Sequence, residues 1–486
     1  MKTAPLLLGA ALLGGCGSLR GLSGDPFEPI PVAPDAPQKW AAAGVDTVPA
    51  EGDWLAQFNS APLNGLVQEA LANNPTLASQ VATRNAAVFD ARAERGNLRP
   101  LVNGSADAGV LRNVANVGGD AVTSDDTLYG LGVSASWDAD LWGRLRAGVR
   151  LADSELAVAE ADLQAARLSL AAQTAFAWLD LNTAQALEQV ADATLEVRQR
   201  TERLTTRRFS RGLSTALDVR LARSAVAQAE ATIAQREQAT GEAARRLEVL
   251  IGRYPAAEVD APAQLPRLSP LQPSGNPVTL LARRPDVAAA EARVISAGLR
   301  AEQARLALYP SLTLTASAST SQNDLADALD PAFIAARAIA GLAQPLYAGG
   351  QIAARRDAFI ERAKIALANY AATTLTAWQE VENALAADGF LARQEDAQER
   401  ALEEAAQAED LAERQYQNGL VSIFNLIDAQ TRRLNSESAL VSARAARASN
   451  RISYHLALGG GVPVAMPNDP SPARPSARSP SEGPQP

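Results

Sequence analysis

At 486 residues the chain is too long for one ordinary core, so two or more domains or repeats are expected. A net charge of −9 and a pI near 5.0 argue against a nucleic-acid surface, because neutralising phosphates takes basic residues. One histidine, His455, and one cysteine, Cys16, rule out an intramolecular disulfide and leave little for metal sites or histidine-based catalysis, so no enzyme, metal or cofactor is expected.

Residues 1–15 read as a targeting signal. Lys2 supplies a minimal charged start, and Ala4 to Leu13 form an apolar stretch too short to span a membrane. Leu13-Gly14-Gly15-Cys16 resembles a bacterial lipobox, in which cleavage leaves the cysteine first, carrying N-acyl and S-diacylglycerol chains. Gly17, rather than Asp, is what outer-membrane-sorted lipoproteins show at that position. The competing reading is a plain secretory signal with an incidental cysteine. A lone thiol in an oxidising compartment invites mispairing, which favours lipid on Cys16. Residues 16–60 then read as an extended, Pro/Gly-rich leader.

The next segment, 61–252, begins with a helical stretch, Leu63 to Leu98, that stops before Pro100. Two strands follow, 101–111 and 127–138, around a polar loop from Arg112 to Asp126. Leu131, Val133, Ala135 and Trp137 alternate with small or polar residues, and so do Val102, Ala106, Ala108 and Val110. That period suits a barrel wall between lipid and water, and a half-buried soluble sheet shows it too. Helix 141–208 contains no proline and would reach about 100 Å at about 1.5 Å per residue. Val149, Leu156, Leu163 and Leu170 recur every seven residues along it, a coiled-coil seam. A Gly-Leu break leads to a second helix, 214–251.

A linker, 253–282, separates this segment from one of the same order, 283–460. It holds a helix, strands 311–320 and 333–344, and helices 350–417 and 422–458. Its second strand is Ala-rich on both faces with Arg337 inside it, and the loop from Thr320 to Asp330 is polar. Trp137, Trp142 and Tyr347 fall at strand–helix junctions, whereas Trp178 and Trp378 fall mid-helix and read as packing residues. Residues 461–486, dense in Pro and Ser, read as a disordered tail.

The two segments are a duplication. An offset of 210 superimposes Pro75 on Pro285 and Pro100 on Pro310, and an offset of 207 superimposes Gly212-Leu213 on Gly419-Leu420 and Gly252 on Gly459. No stretch after the N-terminus has the roughly 18 apolar residues of a membrane helix, so a span would have to be a closed β-barrel. Single-chain bacterial barrels have at least about 8 strands, and this chain offers four, so several copies are required.

Ser136-Trp137-Asp138-Ala139-Asp140-Leu141-Trp142-Gly143-Arg144-Leu145 resembles the strand-to-helix signature of the TolC-like outer-membrane efflux family. Gln344-Pro345-Leu346-Tyr347-Ala348-Gly349-Gly350 resembles its second-half counterpart, and Tyr416-Gln417-Asn418-Gly419 with Leu426-Ile427-Asp428-Ala429-Gln430 resembles its second hairpin tip. With the lipobox, the resemblance is to the OprM-like lipoproteins that work with resistance-nodulation-division pumps, and it runs from about Cys16 to Gly460.

The resemblance implies an α+β membrane protein. Three chains would form a 12-stranded β-barrel in the outer membrane, continued by a long periplasmic α-helical barrel with a small mixed equatorial region. It implies a passive exit duct for drugs or other small toxic compounds, with a periplasmic adaptor and an inner-membrane pump as partners. A channel for type I protein secretion is the alternative, and a structural coiled-coil envelope lipoprotein a more distant one. The family's periplasmic constriction falls here on Phe424, Asp428 and Asp218, with Asn425 where some members carry another acid. Three copies of Asp428 around an axis would make an acidic ring. Adaptor contact falls on the tips Arg211-Gly212-Leu213-Ser214 and Asn418-Gly419-Leu420-Val421.

Overall fold

The computed structural model describes residues 37, 39–42, 54–58, 60–261, 264–272 and 276–460. The signal, Cys16, most of the leader and the tail 461–486 lie outside the described residues. Val88–Leu156 with Ala290–Ala372 make one compact unit, and Ala36–Ala87, Ala157–Ala289 and the chain from Thr373 make a second.

The first half runs α1 (Ala61–Asn73), α2 (Pro75–Gly96), β1 (Leu101–Val117), β2 (Asp120–Ala139), α3 (Arg144–Ser210) and α4 (Ala216–Leu250). The second half runs α5 (Pro277–Leu281), α6 (Pro285–Leu306), β3 (Ser311–Gln322), α7 (Leu325–Ala328), β4 (Ala335–Ala343), α8 (Gln351–Gln417) and α9 (Ile423–Ala457). The single helix expected from Leu63 to Leu98 is two. Asn74 ends α1 and caps α2, its Oδ1 accepting the N–H of Thr76 and of Leu77 while Nδ2 donates to the Leu250 carbonyl. Pro75 at the first helical position needs no donor partner, which makes the break inexpensive.

In the first unit the four strands form one antiparallel sheet in the order β1-β2-β3-β4, leaving β1 and β4 as open edges. Paired residues in antiparallel strands share a face, so the register sorts the side chains. Val102 opposes Ala135, Trp137 opposes Leu314, Ala316 opposes Ala338, and Leu312 opposes Leu342, giving one apolar face across all four strands. Asn103, Ser134, Ser317 and Arg337 fall on the other face. The fourth strand, ambiguous from its alanines, is resolved by this pairing, and Arg337 Nε donates to Ser317 Oγ on the polar side at 3.1 Å.

The polar loop expected from Arg112 to Asp126 is instead a continuation of the hairpin. β1 runs on to Val117 and β2 starts at Asp120, joined by Gly118 (φ 68°) and Gly119 (φ 103°). Beyond Val110 the lipid-type face turns polar apart from Val114: Thr123 and Thr127 lie on it, and Arg112 makes two bonds of 2.6 Å to Asp125 directly opposite. Strands wet on both faces carry loop-like composition, so alternation could not reveal them. Val102 to Val110 spans about 27 Å along the strand, or a little over 20 Å at a tilt of about 40°, close to the ~25 Å apolar band of outer-membrane barrels. β3 likewise continues to Gln322, and β4 starts only at Ala335 because Asp330 caps a short turn, Pro331–Phe333.

In the second unit, Trp54, Phe58, Leu63 and Val67 pack with Leu163, Leu170, Trp178, Leu247 and Ile452 in the main core. Of the seven-residue ladder on α3, Leu163 and Leu170 in this unit are buried, whereas Val149 and Leu156 in the first unit are half-buried. The leader is pinned by the N–H groups of Ala41 and Ala42 on the Glu382 carboxylate, beside the buried Trp40. Trp378 Nε1 donates to the Pro277 carbonyl.

His455 stacks on Trp54 at 5.9 Å and bonds Gln57 through Nε2 at 3.0 Å. Burial, then the positive charge of Arg451, push its pKa down to about 4. Between about pH 6.5 and 4 the unfolded chain therefore binds the proton that the folded chain refuses, so stability falls as pH falls through that window. The full loss is on the order of 3 kcal/mol per chain. Thermal unfolding at pH 7.5 and pH 5 is expected to show this drop, and His455→Phe to lessen it.

Candidate functional site at the hairpin tips

Each pair of long helices turns through the same backbone device. After α3, the Gly212 N–H bonds the Phe209 carbonyl at 2.9 Å and the Leu213 N–H bonds the Arg208 carbonyl at 2.9 Å. After α8, Gly419 and Leu420 bond the Tyr416 and Gln415 carbonyls at 3.0 and 2.9 Å. These are Schellman ends, with Gly212 at φ 73° and Gly419 at φ 75°. Such ends usually lay the residue after the glycine against an apolar residue of the last turn. Here that turn offers Arg208 and Gln415, so Leu213 and Leu420 stand out at 62% and 74% exposure. Arg211 and Asn418 are exposed beside them, whereas Val421 packs partly into the tip core of Tyr416, Ile423, Leu426 and Ala222.

The two second helices begin differently. Thr215 and Asp218 form a reciprocal capping box, with Thr215 Oγ1 accepting the Asp218 N–H at 3.2 Å and Asp218 Oδ2 accepting the Thr215 N–H at 2.9 Å. Ser214 Oγ adds a bond to Asp218 Oδ2 at 2.7 Å. Partial burial disfavours its charge, but these bonds and Arg208 outweigh it and hold the Asp218 carboxyl below the usual range. Asp218 is thus engaged by its own turn. Asn425 takes the equivalent place in the second hairpin, accepting the Ser422 hydroxyl at 2.8 Å without completing a box.

Phe424 and Asp428 lie one turn apart on α9, both exposed. Phe424 edges a groove of about 340 Å³ whose lining includes Leu221, Ala225, Ile427 and Leu434. Asp428 does not stand alone: Arg432 Nε meets its Oδ2 at 2.8 Å, with both side chains largely solvated. Such an exposed pair contributes only about 0.3–0.5 kcal/mol, yet it places a cation beside every carboxylate of the expected acidic ring.

Two arginines that give no local sequence signal tie the hairpins together. Arg208 Nη1 donates to the Gln417 carbonyl at 2.7 Å, Nη2 to the Leu213 carbonyl at 3.3 Å, and the guanidinium lies 5.1 Å from the Tyr416 ring. Tyr416 in turn shares a 3.0 Å bond with Thr205. Deeper, Arg198 reaches Gln430 Oε1 at 2.7 Å, Thr431 Oγ1 at 2.8 Å and the Ile427 carbonyl at 3.3 Å. Leu217 and Phe209 join the exposed apolar set, and Leu217 is the repeat counterpart of Phe424.

The family model for outer membrane efflux proteins matches the chain twice, over residues 66–253 and 276–460. The pyoverdine export outer membrane protein OpmQ of Pseudomonas aeruginosa is 31% identical, the alignment covering 95% of this chain and 97% of that protein. The probable efflux pump outer membrane protein TtgC of Pseudomonas putida is 30% identical, over 94% and 95%. Among solved structures, the outer-membrane channel OprN superimposes with a TM-score of 0.81 at 28% identity, covering 90% of this chain and 99% of that one. VceC of Vibrio cholerae gives 0.76 at 28%, over 85% and 99%.

Proposed function

The chain belongs to the outer membrane efflux protein family, and on that premise we propose that it is one protomer of a trimeric exit duct that passes small toxic compounds from a periplasmic assembly to the outside. The observation that carries the reading is the four-stranded sheet with one continuous apolar face and two open edges. Unpaired backbone groups on those edges are intolerable in lipid, and further copies of the chain satisfy them. Among the described residues no helix is long and apolar enough to cross a membrane. Relatives named for pyoverdine export and for efflux pumps support small molecules as cargo.

In this reading the partners are a periplasmic adaptor and an inner-membrane resistance-nodulation-division pump, which supplies the energy. Leu213 and Leu420, with Arg211, Gly212, Ser214, Asn418 and Gly419 around them, offer the adaptor solvent-facing apolar knobs on rigid turns. Val421 contributes less, being packed inward. Phe424 and Asp428 form the narrowest ring, with Asn425 beside them and Asp218 fixing the neighbouring turn. Cys16 carries the lipid that holds the leader at the membrane, and the mass of the mature N-terminal peptide tests this.

Deleting the gene should sensitise cells severalfold to dyes, detergents or antibiotics, with the intact gene restoring resistance. Unchanged susceptibility across the panel, with loss of a secreted protein, would instead favour protein secretion.

A further inference from the structure

We infer that the connection between β3 and β4 is a cuff seated in the acyl layer of the membrane, touching the lipid chains that surround the barrel, and not a water-facing loop. The inference rests on the reading of the sheet's apolar face as lipid-facing. β1 and β3 follow helices and β2 and β4 lead into helices, so this connection lies at the far end of the strands, with the β1–β2 turn.

Its position is fixed by Thr320, which the register places opposite Leu131 on the apolar face. The Thr320 hydroxyl accepts the Leu131 N–H at 3.2 Å and donates to the Ala328 carbonyl at 2.8 Å, so α7 is held over that face. Ala328 is buried against the strands, while Leu325, Leu329, Phe333 and Ile334 are exposed, as are Asp324, Asp327 and Asp330, whose carboxylates set the cuff at the headgroup edge of that layer. Beneath the segment runs a groove of about 550 Å³, walled by Ala106, Leu131 and Val133 on one side and Leu329 and Ile334 on the other. The exposed apolar surface of the connection is therefore continuous with the apolar face of the sheet.

Much of its backbone is paired within the segment. Asp324 Oδ1 accepts the Ala326 N–H and Asp330 Oδ1 the Ala332 N–H. The N–H groups of Ala328, Leu329, Asp330, Phe333 and Ile334 all bond carbonyls within the segment. Irregular backbone survives near lipid only when its polar groups are paired in this way. Short helical turns with leucines turned outward are costly in water and favourable at an acyl boundary.

The test is fluorescence quenching of the reconstituted full-length protein in vesicles of phosphatidylcholine brominated near the carbonyl end of its chains. A nitrobenzoxadiazole label is placed at Leu329→Cys, at Ala338→Cys on the apolar sheet face, and at Thr315→Cys on the polar face. Strong quenching at Leu329 and Ala338 with little at Thr315 is the expected result, and Leu325→Cys serves as a second probe should Leu329→Cys fail to assemble. Quenching at Ala338 without quenching at either leucine overturns the cuff and leaves the barrel standing. Quenching at Thr315 equal to that at Ala338 overturns the barrel reading, and the cuff with it.

Discussion

Gly252→Ala is expected to destabilise the protein by about 3 kcal/mol per chain or more, well beyond an ordinary glycine replacement. Gly252 ends α4 at φ 79°, where a side chain costs roughly 1–2 kcal/mol by itself. A Cβ there would also sit 2.7 Å from the Asn73 carbonyl oxygen, and backbone cannot swing aside as a flexible side chain can. Gly459, its repeat counterpart at φ 77°, faces the Arg283 carbonyl at 3.0 Å and is expected to behave similarly. Gly212 supplies the control. It has φ 73° but a Cβ would meet nothing within 4 Å, so Gly212→Ala should cost only about 1–2 kcal/mol. Chemical denaturation of the three variants checks the order; equal losses at Gly252 and Gly212 would remove the close packing from the explanation.

The largest functional effect is expected from Phe424→Ala combined with Asp428→Ala. If these side chains form the narrowest ring, removing them should raise single-channel conductance in planar bilayers severalfold. The neighbouring Arg432 offsets the charge of that ring. With a guanidinium 2.8 Å from each Asp428 carboxylate, the intact ring should select cations only weakly, and Arg432→Ala should strengthen that preference. Both variants leave the buried tip core of Tyr416, Ile423 and Leu426 untouched, so a change in current would report the opening itself. An unchanged current in the double variant would place the constriction elsewhere.

The order of elements was legible because its signals are local: prolines stop helices, glycines end them, and alternation marks a strand with one face in lipid. The upper hairpin was not legible, since Arg112, Asn113 and Asp125 sit in strands wet on both sides and carry no alternation. The break at Asn74 was hidden because a capping asparagine before Pro75 looks, in sequence, like one polar residue within a longer helix. At the tips, Gly212-Leu213 and Gly419-Leu420 were readable from their repeat spacing. Arg198 and Arg208 were not, because each acts on residues more than 200 positions away and resembles any other basic residue on a long helix. Asp218 is expected at the constriction, and Thr215 three positions earlier signals the capping box that also engages its carboxylate.

The central claim is that a four-stranded sheet becomes a channel by closing on copies of itself. Disulfide crosslinking of chains that each carry one cysteine in β1 and one in β4, the two positions scanned for register, tests it most directly, in membranes, with covalent products resolved by mass. Pairing of β1 in one copy with β4 of the next predicts a ladder that ends at three chains. A ladder that stops at two, continues past three, or fails at every register would contradict the account.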